Sequence, residues 1–328
     1  MSGPLRTYVT ATLLIPGVAP AADSLRSWNS GPVKTAIVQF VRDVSTEGGP
    51  HYVPPPERIA VFRDDGTLCS ELPFPAQVAY VLDRVKSLAR KHPRWKSKEP
   101  FRSALARNPR SLAAAGTRGL LELMAAAHAG MTTGEFEAAV QQWLTKARNP
   151  RLHRLYSQSA FQPMIELLAH LHAYDFKVFV VSNGDAAFLR SWSEQAYGIP
   201  PERIIGGQIK TKLVLRKGEQ LLVRLNSFEV PEGKLMSPGT IYRTIGRKPI
   251  AAFGNSDDDL DVLQWVASGP NRSLALIVHH TDSGNEFAYD RSATFGRLDK
   301  ALAVAKKQGW LVADMTKDWS NVFPKSSR

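Results

Sequence analysis

Apolar residues along the chain fall into two textures. Five short runs, RIAVF (58–62), KVFVV (177–181), PIAAF (249–253), LALIV (274–278) and WLVA (310–313), are almost free of polar residues. Runs of that length without alternation suit strands buried on both faces. Elsewhere the period is helical. Ile37, Val38, Phe40 and Val41 make one face of a helix within 33–44, and Val78, Val81, Leu82 and Val85 recur at three-to-four spacing. The stretch 112–128 is rich in Ala and Leu. Thr132-Thr133-Gly134-Glu135 is a capping box that opens a helix carrying Phe136, Val140, Trp143 and Leu144. KTKLVLR and QLLVRL flank Lys217-Gly218 and predict a β-hairpin.

The order of these elements sets the architecture. The first strand is followed by roughly a hundred residues of helical pattern, after which strands and helical segments alternate. Alternation of that kind predicts an α/β fold, a parallel sheet with helices on both faces. The sheet domain is then split, with 23–70 and 175–328 forming it and 71–174 inserted as an all-helical block. Residues 1–22 stand apart. Arg6 precedes a mildly apolar stretch and Ala19-Pro20-Ala21, as in a secretory signal, although Pro16 and Gly17 interrupt it and a disordered tail is the other reading. A signal would place the protein in the periplasm or outside the cell, and a tail would leave it in the cytoplasm.

Composition narrows the partners. The chain has 328 residues, is 43% hydrophobic and 22% charged, and carries a formal net charge of +12. That balance allows a well-filled core, and the positive excess attracts anions. The basic residues are scattered, and the densest stretch, RKHPRWKSK (90–98), reads as a solvated helix end and loop. No specific nucleic acid is therefore expected. The single cysteine, Cys69, excludes an intrachain disulfide. No run approaches the roughly 18 apolar residues of a transmembrane helix.

Candidate chemistry gathers where strands end, the edge at which open parallel sheets bind ligands. Arg63-Asp64-Asp65-Gly66-Thr67 follows the first strand, and Ser182-Asn183-Gly184 follows the second. Gly254-Asn255-Ser256-Asp257-Asp258-Asp259 follows PIAAF, and Lys234 lies upstream of it. Carboxylates, a hydroxyl and a lysine at one edge suit a magnesium ion with a phosphate. Each fragment alone is also a common turn; all of them in this order form a joint signal.

The series resembles the four motifs of the haloacid-dehalogenase-like superfamily, most closely its bacterial phosphatase-like branch. FRDDGTLC, VVSNGD and AAFGNSDDDL stand in this chain where those relatives read FDNDGTLW, IVSGGG and AAFGNSDGDL. The likeness extends over nearly everything after about Ser27. It implies a Rossmann-like core with a helical cap, and a magnesium cofactor. In the family the first Asp of Asp-x-Asp attacks the phosphoryl group and the second is the general acid/base. Carried over, the resemblance implies Asp65 as acid/base and metal ligand, Thr67, Ser182, Asn183 and Lys234 around the phosphate, and Asn255, Asp257 and Asp259 at the metal. Asp257 and its neighbour Asp258 read equally well as acids at a helix N-terminus.

The nucleophile's position is held by Arg63. Moving the frame so that Asp64 attacks puts Gly66 at the acid/base position. Arginine is permanently cationic and forms no aspartyl phosphate. It also replaces a negative charge beside the expected cation; at about 4 Å and an effective dielectric of about 20, each such unit is worth about 4 kcal/mol. Magnesium is therefore doubtful in this chain. Four functions stay open: a degenerate site that binds a phosphorylated or other anionic small molecule, an enzyme with repurposed acid/base chemistry, a conventional magnesium-dependent phosphomonoesterase, and a basic polyanion-binding scaffold. His279 and His280, after LALIV, read more readily as structural histidines than as ligand contacts.

Overall fold

A computed structural model describes residues 23–229 and 237–325. The expected signal or tail (1–22) and Lys234 lie outside the described residues. Helix α1 (Pro32–Ser45) buries Ile37, Phe40, Val41 and Val44 and leads to β1 (Ile59–Arg63), buried throughout. The helical block follows: α2 (Ala76–Leu88), α3 (Phe101–Leu105), α4 (Pro109–Ala114), α5 (Gly116–His128), α6 (Thr133–Leu144) and α7 (Gln162–Ala173). The Ala/Leu-rich stretch thus forms two helices. They part at Gly116, whose φ of 63° favours glycine. Thr132 and Glu135 form the expected capping box. Trp95, inside the basic stretch 90–98, is buried and stacks on His92 and Phe101.

The remaining elements are β2 (Lys177–Asp185), α8 (Ala186–Arg190), α9 (Ser193–Tyr197), β3 (Ile204–Arg216), β4 (Glu219–Glu229), α10 (Pro238–Ile245), β5 (Ala251–Gly254), α11 (Leu260–Ala267), β6 (Leu274–His279), α12 (Lys300–Gln308), β7 (Leu311–Asp314) and α13 (Met315–Asp318). Together the strands form one seven-stranded sheet in the order β4-β3-β2-β1-β5-β6-β7. Every pairing is parallel except that of β3 with β4, the expected hairpin turning at Lys217-Gly218.

Alternate strand residues enter opposite layers, as period-two geometry requires. Ala60, Phe62, Val178, Val180 and Phe253 pack in the layer with α1, α2 and α7. Val61, Val181, Ala252 and Ile277 pack in the layer with α10, α11 and α12. Phe62 and Phe253 stack at 4.0 Å across β1 and β5 and lock the centre of the sheet. Cys69 bridges to Ala160 at the base of the helical block, and α7 then packs on β2.

Candidate functional site

From β1 the chain runs to β2 and β3 on one side of the sheet and returns to β5 on the other. The strand order therefore reverses between β1 and β5, and a crevice opens there beyond the strands' carboxyl ends. The loops after β1 and β5 flank it. Gly66 lets them meet: at φ 76°, a Cβ on it would lie 2.1 Å from Asn255 Nδ2 and 2.4 Å from Glu71 Oε1. Only glycine fits that turn. The end of β2 is braced from the helical block, since Gln77 Oε1 accepts from the Asp185 backbone N–H at 3.1 Å.

Arg63, the last residue of β1, is 8% exposed and lines a cavity of about 760 Å³. Burial opposes its charge, but the carboxylates of Asp259, Asp65, Glu71 and Asp258, in that order, outweigh it and hold the guanidinium above the usual arginine range. The acidic groups of the crevice thus already surround a cation that belongs to the chain.

Asp64 faces the other way. It is buried, is not among the cavity's lining residues, and accepts from Tyr197 Oη at 3.0 Å with the Cys69 thiol 3.8 Å away. Burial, then the charge of Asp65, pushes its carboxyl up to about 8. The folded chain therefore holds this proton more tightly than the unfolded chain, where an aspartate titrates near 4, about its ordinary value. Stability from this group is complete below about pH 4 and is lost as pH rises toward about 8. Asp64→Asn keeps the acceptor for Tyr197 and cannot ionise, so its melting temperature should decline less steeply across that window. Identical slopes for the two proteins would refute the assignment.

The other site residues divide. Asp65 and Asn183 line the cavity, and burial raises the Asp65 carboxyl. Asn255 is engaged at both ends of its amide: its Oδ1 accepts from Thr67 at 3.1 Å, and its Nδ2 donates to Glu71 Oε1 at 2.7 Å. Thr67, expected at a phosphate, is wholly buried and spends its hydroxyl on that contact. Ser182, also expected there, is buried and accepts from the Gly184 backbone N–H at 3.1 Å. Neither residue is among those lining the cavity. Asp257 lines it, but its Oδ1 accepts from the backbone N–H groups of Asp299 and Ala301, both at 2.9 Å, at the start of α12. Asp259 Oδ2 accepts from Asn255 N, Ser256 N and Ser256 Oγ at 2.8–3.0 Å, and its Oδ1 is buried with no hydrogen-bond partner among the described residues. Among the described residues, Asp64, Asp65 and Cys69 bring one carboxylate or thiol atom each within 4.8 Å of one another.

Glu71 has no counterpart in the sequence reading. It is buried, lines the cavity, and accepts from Tyr289 Oη as well as Asn255, both at 2.7 Å. Burial pushes its carboxyl up to about 7. The available signal was a lone acid between the Gly66 turn and the first helix of the insertion, too common a feature to single out. His280 is tied to Gly66 O at 2.7 Å and Glu286 at 3.0 Å, so it braces the same turn. The far wall is apolar, with Leu120, Leu121 and Met124 of α5 joined by Phe295, and Arg297 and Lys300 also face the cavity.

A family model described as haloacid dehalogenase-like hydrolase matches residues 61–264, from β1 into α11. No curated protein matches the sequence. Among solved structures, a protein of unknown function from Bordetella pertussis Tohama I is similar at 17% identity over 79% of this chain and 99% of that one, with a TM-score of 0.47. A functionally unknown protein from Anaerococcus prevotii DSM 20548 is similar at 13% identity over 85% and 90%, with a TM-score of 0.47. A phosphoserine phosphohydrolase-like protein from Francisella tularensis subsp. tularensis SCHU S4 is similar at 12% identity over 67% and 87%, with a TM-score of 0.38.

Proposed function

Because the chain belongs to the haloacid dehalogenase-like hydrolases, we propose that it keeps a ligand cavity at the family's place in the fold, lacks aspartyl-phosphate turnover, and binds a phosphorylated or other anionic small molecule. The observation that carries this reading is Arg63, buried at the end of β1 and facing the cavity where a nucleophilic carboxylate would be needed. Asp64 is no substitute, since it points into the layer behind and shares Tyr197 with Cys69. Guanidinium groups recognise phosphate and carboxylate well, which suits Arg63 to an anionic head group. Leu120, Leu121 and Met124 offer an apolar wall to the rest of the ligand.

Magnesium does not fit this donor set. Asp257 holds the start of α12, and Asp259 keeps only Oδ1 without a hydrogen-bond partner among the described residues. The acids that remain surround the charge of Arg63, and a divalent ion would have to share them with it. We assign the role of cap to α2–α6. Sequence pattern extends the insertion to 174; because α7 packs on β2, we count α7 with the sheet.

A second reading has one observation in its favour. Glu71 faces the cavity with its carboxyl near 7, a value suited to proton transfer at neutral pH. It would then serve a reaction that needs an acid/base and no nucleophilic aspartate.

A panel of phosphomonoesters with magnesium tests the proposal. The natural protein should show no turnover above background, since loss of a nucleophile costs about 10⁶ in rate. The phosphorylated compounds that bind should raise its melting temperature saturably, and Arg63→Met should abolish that rise. Robust hydrolysis by the natural protein would overturn the reading. Turnover lost in Glu71→Gln would favour the second one, and a rise for every polyanion that vanishes with salt would favour the scaffold.

A further inference from the structure

The β3–β4 hairpin outgrows the sheet. β2 pairs with β3 only between Ile204 and Gly207, and a register shift follows between Ile209 and Thr211. Beyond it the two strands continue as a ribbon of their own. The base of this ribbon is buried, with Ile209 at 5%, Val223 at 4% and Arg224 at 3% exposure. Thr132 bridges to Val223, and the backbones of Gly130 and Met131 bond to Arg224. Among the described residues the distal part has no such cover.

There the apolar surface is large. Leu213, Leu215 and Leu222 are 61%, 69% and 46% exposed, and among the described residues the only other large apolar side chain exposed in this way is Tyr242. Leu213 sits directly opposite Leu222, and Leu215 is two residues further along the strand, so all three share one face. The opposite face carries the exposed Lys212 and Arg216 on either side of the half-buried pair Val214 and Leu221; Lys217 in the turn and Lys210 toward the base are also exposed. Across 210–222 four basic residues meet one acid, Glu219.

We propose that this hairpin tip docks on an anionic membrane surface, with Leu213, Leu215 and Leu222 entering the head-group boundary while Lys210, Lys212, Arg216 and Lys217 engage acidic head groups. The arrangement is that of an interfacial amphipathic element, one apolar face backed by cations on a projecting segment. The charge argues against a second copy of this chain as the occupant, because two such tips would bring eight cations together against two acids. A lipid surface also asks for no matching pocket, and three leucines on a two-stranded ribbon provide none.

The test is co-sedimentation of the full chain with vesicles of phosphatidylcholine, alone or doped with phosphatidylserine, at low and high salt. The natural protein should bind the phosphatidylserine vesicles, and bind them less as salt rises. Leu213→Ser with Leu215→Ser should lower partitioning about a hundredfold, about tenfold for each leucine. Replacing Lys210, Lys212 and Lys217 by Gln should lower it about fivefold per residue. These side chains are exposed, so both variants should keep the natural melting temperature. Binding that ignores phosphatidylserine, or that survives the leucine changes, overturns the proposal. So does sedimentation velocity showing a dimer that the leucine variant dissociates, which would assign the face to self-association.

Discussion

Arg63→Asp is expected to gain, relative to the natural protein, both magnesium-dependent stability and magnesium-dependent phosphatase activity. Arg63 is buried among Asp259, Asp65, Glu71 and Asp258. Removing a buried charge from its partners costs about 3–5 kcal/mol, and a fifth carboxylate adds repulsion to that loss. Without metal the variant should therefore melt several degrees below the natural protein. Magnesium then supplies the missing positive charge and frees ligands that now face a guanidinium, so the variant should recover much of the loss as the ion is titrated in. The natural protein should show no such rise. A rise in the natural protein, or none in the variant, would refute the idea that Arg63 takes the electrostatic place of the ion. Arg63→Met separates charge from chemistry. It should lose stability as well, yet gain no turnover in magnesium, because it supplies no nucleophile.

How much of this was legible follows from what each residue type decides locally. The five apolar runs all proved to be strands of one sheet, because an unbroken apolar run of that length has to be covered on both faces. The Lys217-Gly218 turn and the Thr132 capping box were also readable, since short-range backbone chemistry fixes them. The strand-end loops came together as expected, at the reversal between β1 and β5. Within them, sequence could not say which oxygen faces the cavity. Thr67 and Asp257 are good ligand types, but a threonine hydroxyl or an aspartate oxygen serves equally well against a neighbouring amide or a helix start, and that is where theirs go. Glu71 shows the converse. Its place beside Asn255 and Tyr289 depends on the close approach at Gly66, a contact across 184 residues of chain that no local pattern encodes.

The second large effect is expected at the base of the hairpin. Arg224 Nη2 pairs closely with Asp185 Oδ2, both residues are almost wholly buried, and the guanidinium lies 4.0 Å from the centre of the Phe136 ring. Asp185 ends β2 and its Oδ1 accepts from the Ala187 backbone N–H at 3.1 Å, so this pair ties β4 to the start of α8. His128 gives little help. Its Nδ1 is 3.9 Å from Asp185, and burial followed by the nearby charge of Arg224 keeps its ring well below the usual histidine range, hence neutral. Arg224→Met should therefore leave Asp185 as a buried carboxylate without a cation, at a cost of about 3–5 kcal/mol. Burial already raises the Asp185 carboxyl, and Arg224 is the largest influence lowering it. In the variant that pKa rises further, so the folded state prefers the protonated acid. The loss of stability should then be smallest in acid, below the ordinary aspartate pKa of about 4, and should grow as pH rises above it. Asp185→Asn in the same chain removes the stranded charge and keeps the oxygen that caps α8. The double variant should thus recover most of the stability lost at neutral pH and show a flatter pH profile, measured by denaturant unfolding at several pH values. If Arg224→Met instead loses the same stability at every pH, with no recovery in the double variant, the pair is not what holds the hairpin, and the packing of Arg224 on Phe136 must hold it instead.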